Sequence, residues 1–231
     1  MIENFVELFK LVGIGLALML PLANPLTAMS LYLALGKHLS PTERATQIRL
    51  AAWYTVAIML VAFYAGSWIM HAFGISLPGL RISGGLIVGF LGFTMLFPSD
   101  AGPDGETDKQ VELQGNARAE NIAFVPLALP GTAGPGTIAI IITLASKMHE
   151  GNATNGGYPA WIIVAVPVIV AGLLGGLLYV CLRSASRLVS LIGKNGVEAI
   201  SRVMGFLLVC MGVQFVIDGT YAVIALHRAA G

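Results

Sequence analysis

Long runs without a charged residue constrain this chain more than any other feature of its sequence. A helix that crosses a bilayer needs about 20 mostly apolar residues. Five uncharged runs, and a sixth with charges near its ends, cover residues 11–35, 50–80, 82–98, 121–146, 160–182 and 199–224. In the sixth run Arg202 and Asp218 lie near opposite ends, where such side chains reach the membrane interface. The sequence therefore predicts an all-α integral membrane protein with six transmembrane helices.

The composition agrees with a chain that folds in lipid. Of its 231 residues, 56% are hydrophobic and 11% are charged, and the mean hydropathy is +0.82. A soluble domain carries about 25% charged residues, so this chain has too few to cover a surface in water. The net charge of +1 provides no basic surface for a nucleic acid. The partner that the composition predicts is the lipid bilayer.

A proline-containing motif occurs twice in these apolar runs. Residues 21–27 read Pro-Leu-Ala-Asn-Pro-Leu-Thr and residues 126–132 read Pro-Leu-Ala-Leu-Pro-Gly-Thr, so that five of seven positions match at an offset of 105. Because each proline removes an intrahelical hydrogen bond, the motifs predict that helices 1 and 4 are broken. Broken helices in both halves of a membrane protein indicate a transporter's substrate site, since protein or a water-filled cavity must satisfy the freed backbone groups.

A second match supports an internal duplication. The third run matches the sixth at an offset of 121, through the pairs Arg81/Arg202, Gly84/Gly205, Leu86/Leu207 and Val88/Val209. The chain then divides into a first three-helix repeat, residues 1–98, a polar linker, residues 99–120, and a second three-helix repeat, residues 121–231. Because each repeat has an odd number of spans, the second enters the membrane from the opposite side. We predict two inverted-topology repeats.

The distribution of basic residues predicts the orientation in the membrane. Loops that follow the first, third and fifth spans carry nine of the 13 Lys and Arg residues, and the other side carries four. By the positive-inside rule, the linker 99–120 is cytoplasmic and both termini of this multi-pass protein lie outside the cytoplasm.

The two broken motifs form the predicted substrate site. Asn24-Pro25 is typical of a helix start, and Pro130 or Pro135 provides one in the second half. A helix N-terminus attracts an anionic group, and the free carbonyls before the break attract a cation or an ammonium group. No charged residue interrupts the first five runs, which favours a small solute without net charge, such as a zwitterion. The predicted substrate-binding residues are Asn24, Pro25, Thr27, Pro130, Gly131, Thr132, Gly134 and Thr137.

The function that these features predict is secondary transport by alternating access, without enzymatic activity. The sequence contains no catalytic or metal-ligating constellation and no ATP-binding motif, so no cofactor is predicted. The coupling ion, Na⁺ or H⁺, and the direction of transport stay open. Two alternatives remain, a drug or antimetabolite efflux protein and a non-transporting membrane scaffold or regulator. Gly85-x-x-x-Gly89 and Gly172-x-x-x-Gly176 are typical of helix packing within or between chains, which leaves a homo-oligomer open.

Four segments resemble the MarC family of bacterial inner-membrane proteins. They are residues 20–27, 73–85, 121–139 and 196–214. The resemblance extends over nearly the whole chain and implies six spans. The family takes its name from a multiple antibiotic resistance locus, and it is also classed with neutral amino acid transporters, some of which are taken to move glycine and alanine. The resemblance therefore implies a multi-pass protein of a bacterial inner membrane, whose termini are then periplasmic, and small neutral solutes as its substrates. It assigns no residue roles.

Overall fold

A computed structural model describes residues 2–36, 39–97, 122–128, 132–154 and 158–230. Every regular element in this part of the chain is helical. The elements are α1 (Ile2–Ala23), α2 (Pro25–Leu35), α3 (Pro41–Ala72), α4 (Leu77–Leu96), a short π-helix (Ala123–Ala128), α5 (Pro135–Thr154), α6 (Ala160–Arg183) and α7 (Ala185–Ala230). The last of these is interrupted at Gly193, whose φ of 73° is not helical. The predicted linker, residues 99–120, lies outside the described residues.

Five described helices are long and apolar enough to cross a membrane, rather than the six predicted. They are Asn4–Ala23, Pro41–Ala72, Leu77–Leu96, Ala160–Arg183 and Asn195–Arg228, and a shorter apolar helix covers Gly136–Ser146. The difference arises in the fourth predicted run, which folds as the π-helix and α5 instead of one continuous helix. The first predicted run is interrupted too, because α1 ends at Ala23 and α2 begins at Pro25. Both runs that were predicted to break therefore do so.

Local sequence explains where the full-length helices of the first half begin. Ser40 caps α3 by accepting a hydrogen bond from the Glu43 amide, while the Glu43 carboxylate accepts one of 2.8 Å from the Ser40 amide. This reciprocal pair satisfies two amides that a helix start leaves without intrahelical partners. In α4 the Ser76 hydroxyl accepts from the Gly79 amide, and Pro78 stands in the first turn.

Helices α4 and α7 pack antiparallel through close glycine contacts. A methyl group built on Gly212 would lie 2.5 Å from the Gly85 carbonyl oxygen and 2.5 Å from the Gly89 nitrogen. One built on Gly205 would lie 2.8 Å from the Gly92 carbonyl oxygen. The order of these pairs makes the two helices run in opposite directions. The Gly85-x-x-x-Gly89 motif therefore serves packing within the chain.

Helices α3 and α6 also run antiparallel. Tyr64 Oη donates a hydrogen bond of 2.9 Å to the Val164 carbonyl oxygen, whereas Gly175, further along α6, lies against Val56, which precedes Tyr64 on α3. On the same helix Gly172 and Gly176 are exposed, and a methyl group added to either would meet no atom within 4 Å. This second glycine motif faces away from the rest of the described chain.

Each broken segment runs parallel to a full-length helix of the other half. For α1 beside α6, the contacting pairs are Phe5 with Trp161 and Gly15 with Val170. For α3 beside the π-helix and α5, they are Gln47 with Ala123 and Gly66 with Ile142. The two halves are thus interleaved, and each break is placed against helices of both halves.

Candidate functional site

The first break is a single residue, Asn24, held in the left-handed backbone region. Its φ is 33°, and it is the one non-glycine residue with positive φ in the described chain. Asn adopts this region more readily than most residues, because its short polar side chain bonds locally. The Asn24 carbonyl accepts from the Ala28 amide at 3.3 Å and so begins α2. Its side chain is only 8% exposed, and Nδ2 donates to Met95 Sδ of α4 at 3.4 Å.

The second break is wider, and threonine hydroxyls satisfy its backbone. Thr132 Oγ1 donates to the Leu127 carbonyl oxygen at 2.7 Å, and the Ala133 amide donates to the Ala128 carbonyl oxygen at 2.9 Å. Thr137 Oγ1 then donates to the Thr132 carbonyl oxygen at 3.2 Å. The expectation that carbonyls before this break are free for a cation is therefore wrong for Leu127, because a side chain of the same break occupies its carbonyl.

The helix that follows the second break begins at one of its two predicted starts. Proline at the first helical position is favoured because that position needs no amide donor. Pro135 is the first residue of α5, and the Gly134 carbonyl accepts from the Ile138 amide at 3.0 Å. The N-terminus of α5 consequently points into buried protein, since Gly134, Gly136 and Thr137 are all buried.

Both breaks lie between two clusters of buried apolar side chains. The first cluster includes Met19, Met59, Ile140 and Val166, and the second includes Ala28, Ala51, Leu127 and Leu178. On α1 and α2 the boundary between the clusters falls between Met19 and Ala28, which brackets Asn24. On the second broken segment it falls between Leu127 and Ile140, which brackets Thr132 and Thr137. We call the buried polar side chains at this boundary, Asn24, Thr55, Thr132 and Thr137, the polar layer.

The structure places five of the eight predicted site residues. Asn24 is the first break and Pro25 begins α2, while Thr132 and Gly134 lie in the second break and Thr137 in the first turn of α5. Thr132 is only 2% exposed. Of the remaining three, Thr27 belongs to α2, but its side chain lies outside the described part of the chain. Pro130 and Gly131 lie outside the described residues. The two broken segments meet in the second cluster, where Ala28 and Met29 of α2 pack with Leu127 of the π-helix.

The polar layer is uncharged. Among the described residues, the buried polar side chains are Asn24, Gln47, Thr55, Thr132, Thr137 and Thr143, none of which is ionisable. The same part of the chain contains no group of three or more His, Cys, Asp or Glu that could hold a metal ion. The electrostatic character of the layer therefore comes from backbone dipoles, amides and hydroxyls, which can bind neutral or zwitterionic groups.

Comparison with known proteins identifies the family. The profile described as MarC family integral membrane protein matches residues 9–224. The chain belongs to the MarC family. The UPF0056 inner membrane protein MarC of Salmonella paratyphi B is 50% identical over 223 residues, which cover 96% of this chain and 99% of the relative. The proteins of that name from Citrobacter koseri and Escherichia coli O1:K1 are also 50% identical, with the same coverage. No solved structure matches this MarC-family chain.

Sequence reasoning missed two polar residues that this MarC-family chain buries beside the second break. Gln47 of α3 accepts a hydrogen bond of 2.9 Å at Oε1 from the Ala123 amide, which begins the π-helix. Thr55, two turns further along α3, is fully buried. Neither residue belongs to a motif in the sequence. The only available signal was a polar residue within, or close to, the uncharged run 50–80.

Proposed function

We propose that this chain is a secondary transporter of small neutral solutes, with neutral amino acids as the class that its site fits best. The observation that carries the proposal is that two helix breaks from different halves lie in one buried, uncharged polar layer. Backbone breaks at membrane depth need partners for their freed groups, and pairs of them form substrate sites in transporters. In this proposal the chain moves solute and catalyses no reaction.

The directions of the packed helices support alternating access by two inverted repeats. The third and sixth runs contain α4 and α7, which are antiparallel, and the second and fifth contain α3 and α6, which are antiparallel as well. Corresponding helices of two repeats must run in opposite directions when the repeats are inverted. The parallel pairs, α1 with α6 and α3 with α5, are also equivalent under an exchange of the halves. In this proposal the π-helix and α5 together make the sixth crossing.

The names of the relatives and the charge distribution support a place and an orientation in the cell. Proteins 50% identical to this chain are named inner membrane proteins. We propose the same membrane here, with the linker 99–120 in the cytoplasm and both termini in the periplasm, because nine of 13 basic residues lie on the linker side.

The chemistry of the polar layer supports a neutral substrate. An ion with net charge needs a countercharge in a water-poor site, since an unpaired buried charge is strongly unfavourable. The described layer contains no side-chain charge, so a zwitterion whose two charges cancel suits it better than a cation or an anion. Small neighbours, such as Ala23 at 4% exposure and Ala133 at 0%, favour a small solute over a bulky drug.

One observation favours the alternative of a non-transporting scaffold or regulator. Asn24 and Thr132 are 8% and 2% exposed, and two threonine hydroxyls of the layer bond to backbone carbonyls. A helix break with a purely structural role would also be buried and would have its backbone carbonyls hydrogen-bonded by side chains in this way. A transporter that is closed on both sides presents the same features, so the function is decided by whether solute crosses the membrane.

The deciding experiment is uptake of radiolabelled L-alanine and glycine into proteoliposomes that contain the purified full-length protein. Imposed Na⁺ and pH gradients identify the coupling ion. The site variant is Asn24→Gly, because glycine removes the amide yet adopts the positive φ without strain. A matched control is Asn195→Gly, which removes an exposed amide from α7.

We expect gradient-dependent uptake that Asn24→Gly abolishes and Asn195→Gly retains. If the folded wild-type protein takes up neither amino acid under any gradient, the proposed function is wrong for these substrates, and the scaffold alternative gains. If wild type and Asn24→Gly transport equally, the chain is a transporter whose site lies elsewhere.

A further inference from the structure

Thr55 has a buried hydroxyl without a partner. Its residue is 0% exposed, and within the described part of the chain Oγ1 makes no hydrogen bond. A helical threonine usually bonds to a carbonyl of the preceding turn, as Thr143 Oγ1 does with the Ala139 carbonyl oxygen at 2.9 Å. Buried polar groups left unpaired are rare and unfavourable, and each one calls for an explanation.

The position of Thr55 on α3 places it at the second helix break. Gln47 contacts Ala123 before the break, and Gly66 contacts Ile142 after it, because the two segments run parallel. Thr55 lies between Gln47 and Gly66. It also stands about three helical turns before Gly66, on the same face of α3. That face packs against the second broken segment.

The two apolar clusters give the same position for Thr55 along α3, from different residues. Ala51, one turn before Thr55, packs in the second cluster, and Met59, one turn after it, packs in the first. Thr55 therefore lies at the boundary between the clusters, as do both helix breaks. It belongs to the polar layer for reasons independent of any motif.

Among the described side chains of this layer, only the Thr55 hydroxyl has no hydrogen-bond partner. Thr132 and Thr137 donate to the backbone, and the Asn24 amide donates to Met95 Sδ. A hydroxyl provides one donor and two acceptor sites. The N-terminus of α5, whose dipole favours negative charge, lies at the same boundary between the two clusters. The partner that best suits a hydroxyl donor there is therefore a carboxylate oxygen.

We propose that Thr55 is a substrate-contacting residue, whose hydroxyl donates a hydrogen bond to the carboxylate of a bound neutral amino acid. This inference rests on the proposed function and names a contact within the same site. The hydroxyl is then unpaired in the absence of substrate, and the carboxylate of the bound amino acid is its hydrogen-bond partner.

The test measures KM for L-alanine and glycine in proteoliposomes of the full-length protein, together with the unfolding temperature of each variant in detergent. Thr55→Val removes the hydroxyl at nearly constant volume, and Thr55→Ser retains it. The matched control is Thr143→Val, because Thr143 is also buried, at 1% exposure, but bonds within its own helix.

We expect Thr55→Val to raise KM about tenfold or more, as loss of a hydrogen bond to a charged group does. Its unfolding temperature should equal or exceed that of wild type, since an unpaired buried hydroxyl is replaced by a methyl group. Thr55→Ser should keep KM within about twofold of wild type, and Thr143→Val should keep the wild-type KM.

Two results overturn the inference while the proposed function stands. The first is an unchanged KM for Thr55→Val beside an active wild type. The second is a lower unfolding temperature for Thr55→Val together with a rise in KM no larger than that of the control Thr143→Val. Such a result means that the hydroxyl has a structural role. If the wild-type protein transports neither probe, the inference and the proposed function both fall.

Discussion

The side-chain amide of Asn24 donates to the sulfur of Met95 at 3.4 Å, and this partly buried contact joins the first helix break to α4. Asn24 holds a backbone φ of 33°, and Met95 lies one residue before the end of its helix. The break is therefore defined by its own backbone conformation and by a contact with a helix about 70 residues away along the chain.

The positive φ at Asn24 makes a prediction about stability. We expect Asn24→Leu to unfold at a lower temperature than Asn24→Gly, because the left-handed region is unfavourable for an ordinary side chain by about 1–2 kcal/mol and is open to glycine. Thermal unfolding of both purified variants in the same detergent measures the difference. Equal unfolding temperatures would show that residue 24 does not hold this conformation.

The glycine contact between α4 and α7 makes a second prediction. Gly212→Ala should destabilise the protein by about 1–3 kcal/mol, since the added methyl group would lie 2.5 Å from backbone atoms of Gly85 and Gly89. The control is Gly172→Ala on α6, which meets nothing within 4 Å. Chemical or thermal unfolding in detergent compares them. A Gly212→Ala protein as stable as the control would contradict this packing.

The hydroxyl of Thr132 makes a third prediction. Thr132→Val should destabilise the protein by about 1–3 kcal/mol, because it leaves the buried Leu127 carbonyl without this donor. Thr132→Ser keeps the hydroxyl and should retain most of the wild-type stability. The measurement is the unfolding temperature of each variant, and a larger loss in Thr132→Ser than in Thr132→Val would mean that methyl packing, rather than the hydrogen bond, accounts for Thr132. Loss of uptake in Thr132→Val alone therefore would not identify a solute contact.

The proposed orientation makes a fourth prediction. In a background with Cys181→Ala and Cys210→Ala, a membrane-impermeant maleimide should label Ala230→Cys in spheroplasts and should label Glu112→Cys only after lysis. The reason is the excess of basic residues on the side of the linker. Labelling of Glu112→Cys in sealed spheroplasts would place the linker outside and reverse the orientation.

Much of the local architecture was predictable from sequence. Long uncharged runs predicted membrane helices, since unpaired charge is unfavourable in lipid. Prolines predicted the two interruptions and the start of α2 at Pro25, because proline lacks an amide donor and has a preset φ. For α5 they left two possible starts, Pro130 and Pro135, and the helix begins at Pro135. The count of spans was less predictable, since a run such as 121–146 is apolar throughout whether it folds as one helix or as a π-helix, a break and α5.

By itself, then, the sequence determined which segments are apolar enough to form membrane helices and where two of them break, because those outcomes depend on hydropathy and on backbone chemistry within a few residues. Tertiary structure alone decided that Thr132 bonds across its own break, that Gly85 meets Gly212, and that Thr55 is buried without a partner. A hydroxyl's partner is set by whichever atoms the packed helices bring within hydrogen-bond distance. The helices packed around Thr55 come from distant parts of the chain. No local sequence pattern therefore shows that they offer its hydroxyl no hydrogen-bond partner.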